Sequence, residues 1–205
     1  MAQIWMQILF KVAQFWMPFN TLGNEELLQL LDYLGTRAHA ARNRAMLLLT
    51  HLAGLRVSEV AYLRWSDVTA EDGTVRNEVR LLADMTKNGV ARTVYVSSKL
   101  RAELQAYADE ARCINRNYPF FYSQKSLKTS FSANSLTQTF ALMYAGAGME
   151  GATSHTGRRT FLTKLANQNT PIHLLKTLAG HKSISTTATY LYSNPTLLKA
   201  AVELA

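Results

Sequence analysis

Leu27, Leu28, Leu30, Leu31 and Leu34 recur at helical spacing, which predicts a helix capped by Asn24 and ending at Gly35. A second helix is expected from Ala40 through Leu47, Leu48, Leu49 and Leu52 to Gly54, whose missing Cβ suits a left-handed stop. Leu55-Arg56-Val57-Ser58-Glu59 follows, with Ser58 expected to cap a helix through Val60, Leu63 and Trp65, so Arg56 sits at a helix entrance. The period then changes. Residues 79–82 and 90–96 read as strands flanking Asn88-Gly89, a dipeptide that accepts positive φ in a tight hairpin turn. Lys87 immediately precedes that turn.

Helical spacing returns from Ser98 through Leu100, Leu104 and Tyr107, and again over residues 134–144, until Gly146, Gly148 and Gly151 break it. Between these helices, residues 112–132 form a polar and aromatic connector. It holds Tyr118-Pro119-Phe120-Phe121 with Lys125 and Lys128, a mixture that either touches a sugar-phosphate backbone or seals the core beneath a loop. Ser154 is then expected to cap a helix with His155 and Arg158 on one face near its positive N-terminus, and Phe161, Leu162 and Leu165 on the buried side. Such a face attracts an anion. Thr170-Pro171 starts a helix through Leu174, Leu175 and Leu178 that stops at Gly180, directly before His181. Ser185-Thr186-Thr187 opens a short turn carrying Tyr190, and residues 196–204 complete the chain as a short amphipathic helix capped by Thr196 or Asn194. The fold class expected is α+β, mainly helical, with a small antiparallel β-sheet.

With 205 residues, 48% hydrophobic and 18% charged, the chain has the composition of one packed domain and not of a disordered segment. A single cysteine, Cys113, excludes an internal disulfide framework and a Cys-rich zinc site, and suits a reducing cytoplasm. The net charge of +8 is concentrated: residues 85–192 hold 13 Lys or Arg against 4 Asp or Glu, leaving 9 against 10 elsewhere. That distribution favours nucleic acid or a phosphorylated ligand over a merely solvated basic face. Residues 1–17 are strongly apolar but carry Gln3, Gln7, Lys11 and Gln14 and stop before Pro18, so they are too short and interrupted for a membrane span. They read as an amphipathic helix covering a neighbouring surface, a subunit contact, or a non-native start.

Gly54-Leu55-Arg56-Val57-Ser58-Glu59, the H-x-x-R of His155 and Arg158, Leu178-Ala179-Gly180-His181-Lys182-Ser183, and Ser185-Thr186-Thr187-Ala188-Thr189-Tyr190 follow one another at set spacing. In order and spacing these four pieces together resemble the catalytic domain of tyrosine recombinases, the phage integrase family. The resemblance covers approximately residues 20–195, and the domain organisation expected is an apolar segment over 1–19 and a catalytic domain with its tail helix over 20–205. It implies DNA cleavage and rejoining through a 3′-phosphotyrosyl link with release of a 5′-hydroxyl, and no metal or nucleotide cofactor.

The chemistry explains why such residues belong together. A phosphodiester resists attack because charge builds on its oxygens, so preorganised cations are the main need. Arg56 and Arg158 offer guanidinium forks that bind two oxygens and stay charged. The resemblance makes Tyr190 the nucleophile, nine residues after His181; Tyr192, two places late, is the rival. It assigns Lys87 as general acid for the departing 5′-oxygen, His181 as a hydrogen-bond partner of the scissile phosphate and His155 as acceptor of the tyrosine proton. Glu59, one turn past Arg56, either braces that arginine or is a helix-surface carboxylate. Arg92, Lys125, Lys128, Arg159 and Lys182 are the expected DNA contacts, whereas His39, His51 and His173 read as structural.

The resemblance implies that typical members carry a helical core-binding domain ahead of the catalytic one; about twenty residues stand ahead of it here, so the chain resembles in size the short invertases of the fimbrial-switch type. A fragment, a decayed integrase or a partner-dependent recombinase fits the same length. The partners implied are double-stranded DNA, further copies of the chain in a tetramer on paired sites, and an accessory protein, without a membrane. The expected location is the cytoplasm of a bacterial, phage or plasmid host, at the nucleoid when DNA is bound. A DNA-binding regulatory relative without turnover is the alternative, and a peripheral membrane or scaffold protein would leave the ordered site residues unexplained.

Overall fold

The computed structural model describes residues 21–86, 89–123, 126–191 and 203. The apolar segment 1–17, Lys87, Lys125, Tyr192 and, apart from Glu203, the tail over 196–204 lie outside them. Along the chain run α1 (Asn24–Gly35), α2 (Ala40–Ala53), α3 (Val57–Tyr62), α4 (Trp65–Val68), β1 (Glu78–Leu81), a 3-10 turn (Ala83–Met85) and β2 (Arg92–Tyr95). They are followed by α5 (Ser98–Ala111), β3 (Tyr122–Ser123), β4 (Ser126–Ser130), α6 (Ala133–Gly146), α7 (Thr156–Asn167), α8 (Ile172–Ala179) and α9 (Ile184–Ala188). The mainly helical α+β expectation holds, with two small antiparallel ribbons, β1–β2 and β3–β4.

Helix α2 is the axis of the fold. Its run from Ala45 to His51 is buried all round, the pattern of a helix enclosed by neighbours, and it packs against α1, α5 and α7. Gly54 ends it in the left-handed conformation at φ 67°, and a Cβ there would come within 2.5 Å of the Phe161 ring, so the stop and the close approach of α7 both require glycine.

The helix expected through Val60, Leu63 and Trp65 is two short helices. Leu63 turns extended at ψ 135°, its carbonyl accepts from Phe120 N at 2.7 Å, and Trp65 N donates to the Tyr118 carbonyl at 3.2 Å. Backbone groups that would continue α3 are thus committed to the connector. That connector also settles the role of its aromatics: Phe120 and Phe121 are fully buried, ring centroids 4.8 Å apart, with Trp65 and Tyr107 around them. The Tyr107 hydroxyl donates to the Phe120 carbonyl at 2.8 Å. Phe120→Ala, which empties the centre of this cluster, is expected to destabilise the domain by about 3–5 kcal/mol in urea unfolding.

The first ribbon departs from a tight hairpin. Its ladder closes at Leu81 opposite Arg92, well short of the Asn88-Gly89 pair expected to make the turn. Thr86 organises that loop: its Oγ1 accepts from Val90 N at 3.0 Å, and its carbonyl accepts from Gly89 N, where φ is 65°. The positive φ read from the Asn-Gly pair is present, but at a turn beyond the end of the ladder.

Candidate active site

Arg56 occupies the N-cap of α3, the position expected for Ser58. The cap is closed from within the first turn by Glu59, whose Oε2 accepts from Arg56 N at 2.8 Å while Oε1 accepts from Arg56 Nη1 at 2.9 Å. Glu59 is fully buried and also takes both terminal nitrogens of Arg92, at 2.6 and 2.9 Å. Burial alone would raise this carboxyl. The hydrogen bonds and charge of Arg92, then the amide and charge of Arg56, hold it below the ordinary carboxylate value. Glu59 is therefore a brace between two guanidiniums and not a helix-surface carboxylate.

Arg158, on the first turn of α7, is 5% exposed. Its Nη1 donates to the Gly54 carbonyl and its Nη2 to the Ala179 carbonyl, both at 2.5 Å, which ties the end of α2 to the end of α8. Burial, followed by the charge of Arg56, lowers its guanidinium from the ordinary arginine value. Gly180 then turns the chain at φ 60°, and His181 places Nε2 3.1 Å from Arg158 Nη2 and Nδ1 3.0 Å from Thr187 Oγ1. Burial, followed by the charges of Arg158, Arg56 and Arg92, lowers the His181 imidazole to about 4, so it is neutral at pH 7. Because a guanidinium only donates, Nε2 is the acceptor and the ring proton sits on Nδ1, donated to Thr187. The Tyr190 ring stacks on His181, centroids 6.2 Å apart and planes at 15°.

Arg56, Glu59, Arg158, His181 and Tyr190 thus come together from three distant parts of the chain. His155 is exposed at the N-cap of α7, while Ser154, the cap expected, is buried. Among the expected DNA contacts, Lys128 and Lys182 are exposed, Lys128 over the Tyr118 ring at 5.8 Å, and Arg159 is half-buried. Arg92 is not on the surface: it is 8% exposed, with both terminal nitrogens on Glu59. Its direction was readable from the alternation of β2, which puts Arg92 on the same inward side as Val94. Thr187, fully buried, and the Gly54 and Ala179 carbonyls carried no signal, since they act through contacts made only in the folded chain.

Among the described residues no group of three or more His, Cys, Asp or Glu could hold a metal ion. Arg56 and Arg92 pair with Glu59, and Arg158 lies within reach of the charges of all three, so the cluster carries a formal charge of +2 and favours an anion. No described helix is long and apolar enough to cross a membrane.

A fully buried histidine lies beneath α7. His51 is 3% exposed, places Nε2 3.0 Å from the Tyr144 hydroxyl, and is lowered to about 4 by burial. The unfolded chain binds this proton below its ordinary pKa near 6.5, whereas the fold refuses it until about 4, so stability is present above pH 6.5 and lost as pH falls toward 4. The expected cost across that window is about 3 kcal/mol, at about 1.4 kcal/mol per pH unit. Urea unfolding at pH 7 and 4.5 checks it, with His51→Gln giving a flatter dependence than the parent.

The family model described as the phage integrase family matches residues 20–196. The tyrosine recombinase XerA of Pyrococcus furiosus is 30% identical over 188 residues, which cover 91% of this chain and 62% of that protein. A structure of the Tn1549 transposon integrase in complex with a circular intermediate DNA has a TM-score of 0.73 at 18% identity, over 91% of this chain and 65% of that one. The catalytic domain of bacteriophage HP1 integrase has a TM-score of 0.63 at 20% identity, over 90% of this chain and 94% of that domain. The chain therefore spans less than two thirds of the length of the Pyrococcus protein, and its fold is that of an integrase catalytic domain. With the family model matching residues 20–196 around these clustered arginines, the histidine and the tyrosine, the chain belongs to the phage integrase family.

Proposed function

We propose that this chain is the catalytic domain of a site-specific recombinase that cleaves and rejoins double-stranded DNA through a 3′-phosphotyrosyl intermediate. One observation carries the reading: Arg56, Arg158 and His181 converge on one cationic site, and the Tyr190 ring is stacked against it. In cleavage the Tyr190 oxygen attacks the scissile phosphorus as the bond to the 5′-oxygen breaks. The phenol proton passes to His155, and the 5′-oxygen takes a proton from Lys87. Arg56 and Arg158 bind the non-bridging oxygens, and a phosphate there supplies the negative charge that favours a protonated, donating His181. No water is consumed, so the ester keeps its energy and a 5′-hydroxyl reverses the step on the same or another strand.

The likeness to an integrase in complex with DNA supports DNA as the partner. The layout proposed is an apolar interaction segment over 1–19 and a catalytic domain over 20–205, working in the cytoplasm as a tetramer on paired sites. Lys128, Lys182, Arg159 and Lys125 are its backbone contacts, and an accessory protein joins it where site selection demands one. Nicked suicide duplexes carrying candidate flanking sites test the reading: denaturing electrophoresis should reveal a protein–DNA adduct. Binding without any adduct would favour the regulatory alternative instead.

A further inference from the structure

Arg92 stands between three parts of the site. It begins β2 and so is rooted in the β1–β2 ribbon. Its two terminal nitrogens lie on Glu59, the same carboxylate that accepts from the side chain and amide of Arg56. Its aliphatic stem lies against Gly180: a Cβ at that glycine would come within 2.7 Å of Arg92 Cδ. Its Nε is buried without a hydrogen-bond partner. Burying an ion pair with an unpaired N–H is a poor way to gain stability, because an apolar side chain of similar volume fills such a space without the desolvation penalty.

We propose that Arg92 is a positioning residue for DNA cleavage, aligning Arg56 through Glu59 and holding the Gly180–His181 corner against the ribbon. The inference rests on the strand-transfer reading above. Its electrostatic logic is direct. With Arg92 present, the single Glu59 charge is shared by two guanidiniums, and Arg56 keeps most of its pull on a phosphate. Without Arg92, Glu59 pairs with Arg56 alone and cancels it. Removing a cation that does not touch the phosphate thus weakens one that does.

The test compares the full chain with Arg92→Met and Arg92→Lys on two nicked duplexes, one with the ordinary scissile phosphodiester and one with a neutral methylphosphonate at that bond. Single-turnover adduct formation by Arg92→Met is expected to fall about 10²-fold on the phosphodiester, the scale of losing one preorganised charge contact. On the methylphosphonate, where there is less charge to stabilise, the deficit should shrink to below about 10-fold. In a Tyr190→Phe background, non-covalent DNA binding should change by less than about 3-fold, as befits a side chain with 6% exposure. Arg92→Lys keeps charge without the fork, and should show the same linkage dependence at a smaller deficit. It carries the test if Arg92→Met fails to fold.

Three outcomes would overturn the proposal while leaving the strand-transfer reading intact: an adduct formed by both variants at the parental rate, an equal deficit on both linkages, or a loss confined to DNA binding. An equal deficit would mark a packing role, and a binding loss a DNA contact. Absence of adduct with the parent chain on every duplex overturns the strand-transfer reading itself, and the proposal with it.

Discussion

Tyr190→Phe should bind DNA within about 2-fold of the parent and form no covalent adduct. The substitution removes one oxygen and keeps the ring, so the stacking on His181 at 6.2 Å survives and the cationic site keeps its shape. What disappears is the oxygen proposed to form the phosphoryl ester. Tyr192→Phe is the matched control. It should retain adduct formation, because the nine-residue register from His181 selects position 190, and position 190 is where the structure stacks a phenol on that histidine. Electrophoretic binding assays and denaturing gels on the same samples separate affinity from chemistry. Adduct formation by Tyr190→Phe and its loss in Tyr192→Phe would move the nucleophile.

Arg158→Ala should fail twice, in stability and in cleavage. The guanidinium bonds the carbonyls of Gly54 and Ala179 and meets His181 Nε2, so its removal leaves buried acceptors unpaired at about 1–3 kcal/mol each. The same change removes a fork proposed to bind the phosphate, with an expected loss of about 10²–10³-fold or more in adduct formation. Arg158→Lys is more informative. A lysine keeps the positive charge but cannot span the two carbonyls as the planar fork does, so cleavage should remain impaired while part of the stability returns. Urea midpoints with single-turnover adduct rates, taken where each variant is folded, divide the two effects. A lysine variant with parental cleavage would mean that charge alone matters at this position.

The parts of the site that could be read from the chain are those with local signals. Gly54 and Gly180 end helices at the positive φ their positions demanded, with Arg56 and His181 just beyond them, and Arg158 and Tyr190 fall at motif spacing elsewhere. What escaped depends on long-range contacts. Arg92 looked like a DNA contact because it lies in the basic half, yet a carboxylate thirty-three positions earlier draws it into the core. The cap of α3 went to Arg56 instead of Ser58 because Glu59 folds back on the Arg56 amide, an interaction of the third helical residue and not of the cap residue itself. Strand β4 is exposed along most of its length, polar but for Leu127, and shows no alternation, so nothing in its pattern distinguished it from the loop around it. The loop ahead of β2 showed its positive φ at Gly89, but the ladder register that decides its length comes from Leu81 and Arg92.

The central claim is that Tyr190, held on the Arg56–Arg158–His181 site, becomes joined to the 3′ end of a cleaved strand. Its most direct test is to isolate the adduct formed on a nicked suicide duplex, digest protein and DNA, and identify the nucleotide-bearing peptide by tandem mass spectrometry. The expected result is a phosphotyrosine ester at Tyr190 carrying the 3′ nucleotide of the cleaved strand. An ester at Tyr192, a link through the 5′ end, or a nucleotide on any other residue would contradict it.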